Sequence, residues 1–246
     1  MNAMIFAAGL GTRLKPITDT IPKALVPIGG QTLLERTINN LKSFGFDNIV
    51  VNVHHFPDMI IDYIKGKNWG ITVNISDERD KLLDTGGGLK KALPLFSSNP
   101  NVPILLHNVD ILSNANLRKF YHENSTNWAT LMVSSRETSR YLLFDANMCL
   151  VGWTNIRTGE VRSPYGQINP NAYHRFAFSG IHLFSPKLES YMKDFPERFP
   201  IMDFYLKTCE KVEIKGCLMD DLKLLDVGKL NAITVAEKFV SDNGVV

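Results

Sequence analysis

Two cations and two carboxylates stand out as groups that could do chemistry together: Arg13 and Lys23 near the start of the chain, Asp110 in its middle and Asp226 near its end. Arg13 closes a small-residue turn, Ala8-Gly9-Leu10-Gly11-Thr12, that follows the apolar run Met4-Ile5-Phe6-Ala7. Positions 9 and 11 carry no side chain to hold a ligand off the backbone, and the exposed N–H groups of such a turn suit phosphate oxygens. Asp110 and Asp226 each follow an apolar stretch, so two neighbouring strand ends could clamp one Mg²⁺ that also takes phosphate oxygens. A lone aspartate more often caps a turn or a helix start, and a lone Lys or Arg is usually a solvated charge. The four together point to the binding and reaction of a polyanion. The three cysteines, Cys149, Cys209 and Cys217, have no evident base partner, and His54-His55 lacks metal-ligand spacing.

Positioning these residues requires strands whose carboxyl ends share one edge. After the first turn, Leu33, Leu34, Thr37, Ile38, Leu41 and Phe44 recur at helical spacing up to Gly45. A strand at 48–53, a helix at 57–65 and a strand at 71–75 follow. Gly86-Gly87-Gly88 opens a helical segment over 89–96, and the apolar strand 104–106 ends in His107-Asn108-Val109-Asp110. Strands alternating with helices predict a mostly parallel sheet covered on both faces, with ligands beyond the carboxyl ends of the strands. From about Trp128 the pattern shifts to shorter strands at 129–134, 141–144 and 150–153. A polar segment, 154–175, has little periodicity and reads as a long loop. A strand at 176–184, helices at 187–193 and 202–209, strands at 212–216 and 223–227 and a closing helix from 229 complete the chain.

The 246 residues can bury a sizeable core, and 27 Lys plus Arg against 25 Asp plus Glu leave a net charge of +2. That balance argues against general nucleic-acid or membrane-surface binding, so any phosphate binding is local. Three cysteines without paired spacing suggest free thiols in a reducing compartment, and no run approaches a membrane span. A cytoplasmic location is expected.

Two familiar glycine loops do not fit. A dinucleotide fingerprint needs a third glycine where Leu14 stands, and no Gly-Lys-Ser/Thr closes a Walker-A loop. Gly9-x-Gly11-Thr12-Arg13 followed by Pro22-Lys23 resembles instead the signature of sugar-nucleotide pyrophosphorylases, nucleotidyltransferases that join a nucleoside triphosphate to a sugar 1-phosphate. Asn108-Val109-Asp110 and Asp226-Val227-Gly228 resemble that family's two metal motifs. Asp84-Thr85-Gly86-Gly87-Gly88 resembles its nucleobase segment, and Phe178-Ser179-Gly180-Ile181 its sugar-contacting strand. The triple glycine reads equally well as a flexible helix entry, and the last segment nearly as well as a buried strand with a close-packing glycine.

The resemblance implies a Rossmann-like three-layer α/β nucleotidyltransferase fold, a mostly parallel mixed sheet with helices on both faces and a small acceptor-binding lobe. It implies one domain over 1–246, with 1–127 mainly nucleotide-binding and 128–246 mainly sugar-phosphate-binding. Arg13 would meet the β- and γ-phosphates, Lys23 the α- or acceptor phosphate, and Asp110 and Asp226 the Mg²⁺. Ala8, Gly9, Gly11, Thr12, Glu78, Gly86, Gly87 and Asn108 would contact the nucleotide, and Ser179 and Gly180 the sugar phosphate. The chain departs from the family at Val109, where glycine is usual, at Leu142, and in lacking a Glu-Lys-Pro acceptor motif, with Trp153-Thr154-Asn155 standing roughly there. Arg157, Arg162, His174 and Arg175 are candidates to replace the missing lysine. The short N-acetylmuramate-1-phosphate uridylyltransferases and mannose-1-phosphate guanylyltransferase-like proteins are the relatives it is most similar to. A non-catalytic nucleotide-sugar-binding or regulatory protein on the same fold is the alternative, and a dehydrogenase is disfavoured by the absent third glycine.

Overall fold

The computed structural model describes residues 1–96 and 99–243. In chain order, β1 (Asn2–Phe6) leads through the signature loop to a ribbon of β2 (Pro27–Ile28) and β3 (Gln31–Thr32). Then come α1 (Leu33–Ser43), β4 (Asn48–Val53), α2 (Pro57–Lys65), β5 (Thr72–Asp77), α3 (Asp84–Ala92) and β6 (Ile104–Asn108). The second half runs through β7 (Ile111–Ser113), α4 (Leu117–Asn124), β8 (Ala129–Ser134), β9 (Arg140–Phe144), β10 (Leu150–Asn155), β11 (Glu160–Arg162) and β12 (His174–Phe184). It closes with α5 (Ile201–Thr208), β13 (Ile214–Leu218), β14 (Leu224–Asp226) and α6 (Ala232–Asn243).

The α/β architecture with a mixed central sheet is the one expected from the sequence, and its parallel core is the half that carries the signature. β1 lies between β4 and β6, parallel to both, and β5 extends the parallel set beyond β4. All five residues of β1 are buried because both faces are covered: Ala3 and Ile5 enter one core, Met4 and Phe6 the other. The first core is closed by α1, α2 and α4 and the second by α3 and α5. Helix α1 starts where Thr32 Oγ1 accepts the Glu35 N–H at 3.1 Å, a Thr-x-x-Glu start that the sequence carries explicitly.

The second half departs from simple alternation. β12 runs antiparallel to β6 through Ile181–Phe184, pairs with β8 on its other edge, and through His174–Phe176 joins the β9–β10–β11 extension. Its register against β8 shifts between Phe178 and His182, around Gly180. Residues 154–175 are not the featureless loop expected: β10 continues to Asn155 and turns back as β11, paired through Asn155 and Glu160. The Asn155 carbonyl accepts the N–H of Gly159 at 2.8 Å and its side chain that of Arg157 at 3.1 Å, so turn chemistry rather than periodicity makes this hairpin. The segment Pro186–Met192 is a 3₁₀ helix, and the triple glycine lies within α3 instead of preceding it.

Candidate active site

The signature loop leaves β1 at the carboxyl edge of the parallel core. Gly11 adopts φ 65° as the Thr12–Leu14 turn begins, and its carbonyl accepts both the Leu14 N–H and the Thr18 hydroxyl at 2.8 Å. A β-carbon there would lie 2.9 Å from Thr18 Cγ2 and 3.2 Å from Lys23 Cβ, so glycine lets the loop close over the backbone that carries Lys23. Beneath it, the Ala7 N–H donates to Asn52 Oδ1 at 2.8 Å, and Asn52 Nδ2 donates to Glu78 Oε1 at 2.7 Å. The loop is thereby tied to β4 and to the end of β5.

Loop and sheet edge enclose a cavity of about 540 Å³. Ala8, Gly9, Gly11, Thr12, Arg13 and Lys23, all candidates from the sequence, line it. The opposite wall is Leu82, Asp84, Thr85 and Pro200, with Gly228 at one end. Of these, Asp84, Thr85 and Gly228 lay in motifs singled out by sequence, and the Asp84-Thr85 segment brings its own side chains rather than its glycines. Gly86 and Gly87 are buried behind the wall, where their N–H groups donate to the Phe199 carbonyl at 2.8 and 3.2 Å. The glycines admit the 197–201 segment against the helix start. Glu78 is only 1% exposed and is linked to the cavity wall through Asn52; burial raises its carboxyl above the ordinary value, opposed by the Asn52 amide.

Asp110 and Asp226 converge beside the cavity by a route the sequence did not reveal. β14 is not a strand of the main sheet but pairs antiparallel with β7, Asp226 opposite Ile111, and the Val227 N–H donates to the Asp110 carbonyl at 2.8 Å. Lys23 Nζ forms an ion pair with Asp110 Oδ2. A β-carbon on Gly228 would fall 2.6 Å from Asp226 Oδ1 and 2.8 Å from Arg13 Nη2, so the glycine after Asp226-Val227 keeps acid and arginine in reach of one point. Burial first, then the charge of Asp110, raises the Asp226 carboxyl above its ordinary value, while Lys23, Arg13 and Arg136 oppose the rise. Val109 takes no part: its side chain is buried in the core and its N–H donates to the Phe6 carbonyl at 3.2 Å.

Two adjacent carboxylates, one of them raised by the other, fit a divalent cation. Among the described residues no cluster of three or more His, Cys, Asp or Glu side chains could hold a metal by itself. Two carboxylates with phosphate and water completing the shell is how Mg²⁺ is usually bound, so Asp110 and Asp226 suit it.

A second cavity, about 360 Å³, adjoins the first through Thr85 and Pro200, which belong to both walls. Asn108, at the end of β6, faces this second cavity, and Gly180 approaches the Asn108 amide closely. Ser179 is buried, and its hydroxyl accepts the Ile181 N–H at 3.2 Å, so it turns into its own strand. The cations on this wall are Arg136 and Arg140, not the four that the long polar segment offered. Arg162 is engaged with Asp203 at 2.7 Å and lies over Trp153, and His174 stacks on Phe176. Arg140 sits in a strand predicted one residue short, and only the β9–β10 register, which pairs Leu142 with Trp153, shows which way the strand faces.

The family model described as nucleotidyl transferase matches residues 2–243. The N-acetylmuramate alpha-1-phosphate uridylyltransferase of Caulobacter vibrioides is 40% identical over 111 residues, 44% of this chain and 45% of that protein. The enzyme of the same name from Neisseria meningitidis is 39% identical over 114 residues, 46% and 48% of the two chains. The probable mannose-1-phosphate guanylyltransferase 3 of Oryza sativa is 33% identical over 147 residues, 57% and 40%. The match therefore spans less than half the length of each of these curated relatives. Among solved structures, a putative glucose-1-phosphate thymidylyltransferase from Bacillus anthracis in complex with a sucrose gives a TM-score of 0.78 at 21% identity, covering 98% of this chain and 96% of that one. HddC from Yersinia pseudotuberculosis complexed with GMP-PN gives 0.74 at 22%, covering 97% and 98%. These two likenesses establish a shared fold.

Proposed function

The chain belongs to the nucleotidyl transferase family, and from that premise we propose that it transfers a nucleotidyl group from a nucleoside triphosphate, UTP or GTP, to a sugar 1-phosphate. The observation that carries this reading is the convergence of Lys23, Asp110, Asp226 and Arg13 beside two adjoining cavities. The first cavity takes the triphosphate against the signature loop, and the second takes the sugar. A phosphate oxygen of the acceptor attacks the α-phosphorus in line; the new P–O bond forms as the α–β bridging P–O bond breaks, and its electron pair leaves with pyrophosphate. A phosphate monoester has its second pKa near about 6, so the nucleophile is already anionic at neutral pH and no general base is needed.

The chain's own task is positioning and charge neutralisation. Arg13 takes the β- and γ-phosphates, where charge builds as pyrophosphate departs. Lys23 acts as a point charge on the attacked or attacking phosphate. Asp110 and Asp226 would hold Mg²⁺, which when bound supplies further neutralisation of phosphate oxygens and a template for the two substrates. The free thiols and the lack, among the described residues, of a helix long and apolar enough to cross a membrane accord with work in the cytoplasm.

The test is pyrophosphate release from purified protein with Mg²⁺, each nucleoside triphosphate and a panel of sugar 1-phosphates. Release that requires one nucleotide and one acceptor is expected. Nucleotide binding with no release in any pairing refutes the transferase reading and leaves a nucleotide-binding or regulatory role.

A further inference from the structure

We propose that the acceptor carries a carboxylate in addition to its phosphate, and that the Arg140 guanidinium is its receptor. The proposal rests on the transferase reading above and names the substrate class of the same site. Its basis is the chemistry of the second cavity. Among the described residues no Asp or Glu lines it, and its charged groups are Arg136 and Arg140. A neutral sugar presents hydroxyl donors that call for carboxylate or amide acceptors, whereas arginine offers five N–H donors and no acceptor. Asn108, Thr85 and Thr138 can accept from sugar hydroxyls, and two guanidiniums with no acid beside them make the same wall suited to an anion as well.

The two arginines divide the acceptor between them. Arg136 is fixed by donating to the Phe178 carbonyl at 3.0 Å, and its charge is felt at Asp226, so it serves the phosphate end where the reaction occurs. Arg140 is held only by its backbone, whose N–H donates to Thr138 Oγ1 at 3.3 Å and which pairs in register with Asn155. Among the described residues its guanidinium makes no hydrogen bond or ion pair. Leu142 and Trp153 stand on the same face of the hairpin as Arg140, giving the sugar ring an apolar floor on the way to it. An unpaired planar fork at the far end of such a floor matches a planar carboxylate in two-point contact.

The experiment compares acceptors that differ by one carboxylate: N-acetylmuramate 1-phosphate against N-acetylglucosamine 1-phosphate, and glucuronate 1-phosphate against glucose 1-phosphate. Both pairs are assayed by pyrophosphate release with the wild-type protein and with Arg140→Ala, Arg140→Lys and Arg157→Ala. In at least one pair the wild type is expected to favour the carboxylate by about tenfold or more in kcat/KM, mostly through KM. Arg140→Ala should bring that ratio to within about threefold of unity, Arg140→Lys should keep part of it, and Arg157→Ala, in the outer turn of the hairpin, should leave it as in wild type. A wild-type ratio near one in both pairs, or a preference that survives Arg140→Ala, overturns the proposal while the transferase reading stands. No release from any acceptor with any nucleotide overturns both.

Discussion

Asp110 comes to the site just beyond the end of a parallel strand and Asp226 on a two-stranded ribbon, yet each needs the other's neighbours to stay in place. Lys23 neutralises Asp110, and the missing side chain at Gly228 leaves room for Asp226 and Arg13 together. Asp226→Asn should lower pyrophosphate release on the order of 10²-fold or more with an unchanged melting temperature; turnover within threefold of wild type rules out its role. Gly228→Ala should likewise cost activity, because its β-carbon would occupy the space between the acid and Arg13. Glu78 offers a test through pH. Its carboxyl is raised in the fold by burial, so the native state binds that proton more tightly than the unfolded chain, and its contribution to stability falls as pH rises from the ordinary carboxylate value, about 4.3, through the raised one. Glu78→Gln should remove that fall, read as a difference in melting temperature between the two proteins across the acid range; parallel pH profiles would show that Glu78 does not titrate in this way. At this scale the sequence was informative where the covalent spacing of a motif brings the residues together, as at Gly9, Gly11, Arg13 and Lys23. It was uninformative about Arg140 and Pro200, whose relevance depends on strand register and on a segment arriving from the far end of the chain.

Helix α3 is an element that runs against local propensity. Three successive glycines weaken an isolated helix by about 1 kcal/mol each relative to alanine. Here a β-carbon on Gly86 would collide with the Phe199 ring and one on Gly87 with the Glu197 carbonyl, while one on Gly88 would lie 2.7 Å from Glu78 Oε1. The glycines let the 197–201 segment lie directly on the helix start, where Thr85 Oγ1 also accepts the Ile201 N–H at 2.9 Å. Gly86→Ala should therefore lower stability by about 1–3 kcal/mol despite its better helix propensity, measured by thermal or urea unfolding; an equal or higher midpoint would mean that the segment moves aside freely. The helices α1 and α2 were readable because one buried face repeats over two turns or more, and the strand β8 because all six of its residues are buried. The hairpin of β10 and β11 was not, because its second strand is three residues long and is set by the turn at Asn155 and Gly159. The ribbon of β7 and β14 joins short segments more than a hundred residues apart, and no local pattern announces such a pairing.

For the whole molecule, the two cores meet the central sheet on opposite faces, and the junction of β6 with β12 buries His107 and His182 in consecutive, adjoining positions of the ladder. Burial lowers His107 to about 4 and His182 to about 3. Both are neutral in the fold, and the unfolded chain takes up their protons first, so stability is full above the ordinary histidine value of about 6.5 and is lost as pH falls toward these lowered values. Urea unfolding between pH 7 and pH 4 should show a falling midpoint with an uptake of about two protons, shallower in His182→Phe; a midpoint independent of pH over that range would show that neither ring is held neutral. The wall shared by the two cavities has a kinetic consequence. Thr85 and Pro200 touch both compartments, so under the proposed reaction a nucleotide sugar formed across that seam would rest one half in each, and pyrophosphate would be held from the first alone. When either half of the sugar nucleotide lifts away, the other keeps it at a high effective concentration and it falls back. Pyrophosphate should leave first, the finished nucleotide sugar last, and the pace of the cycle should be set by how the protein lets go of what it has made.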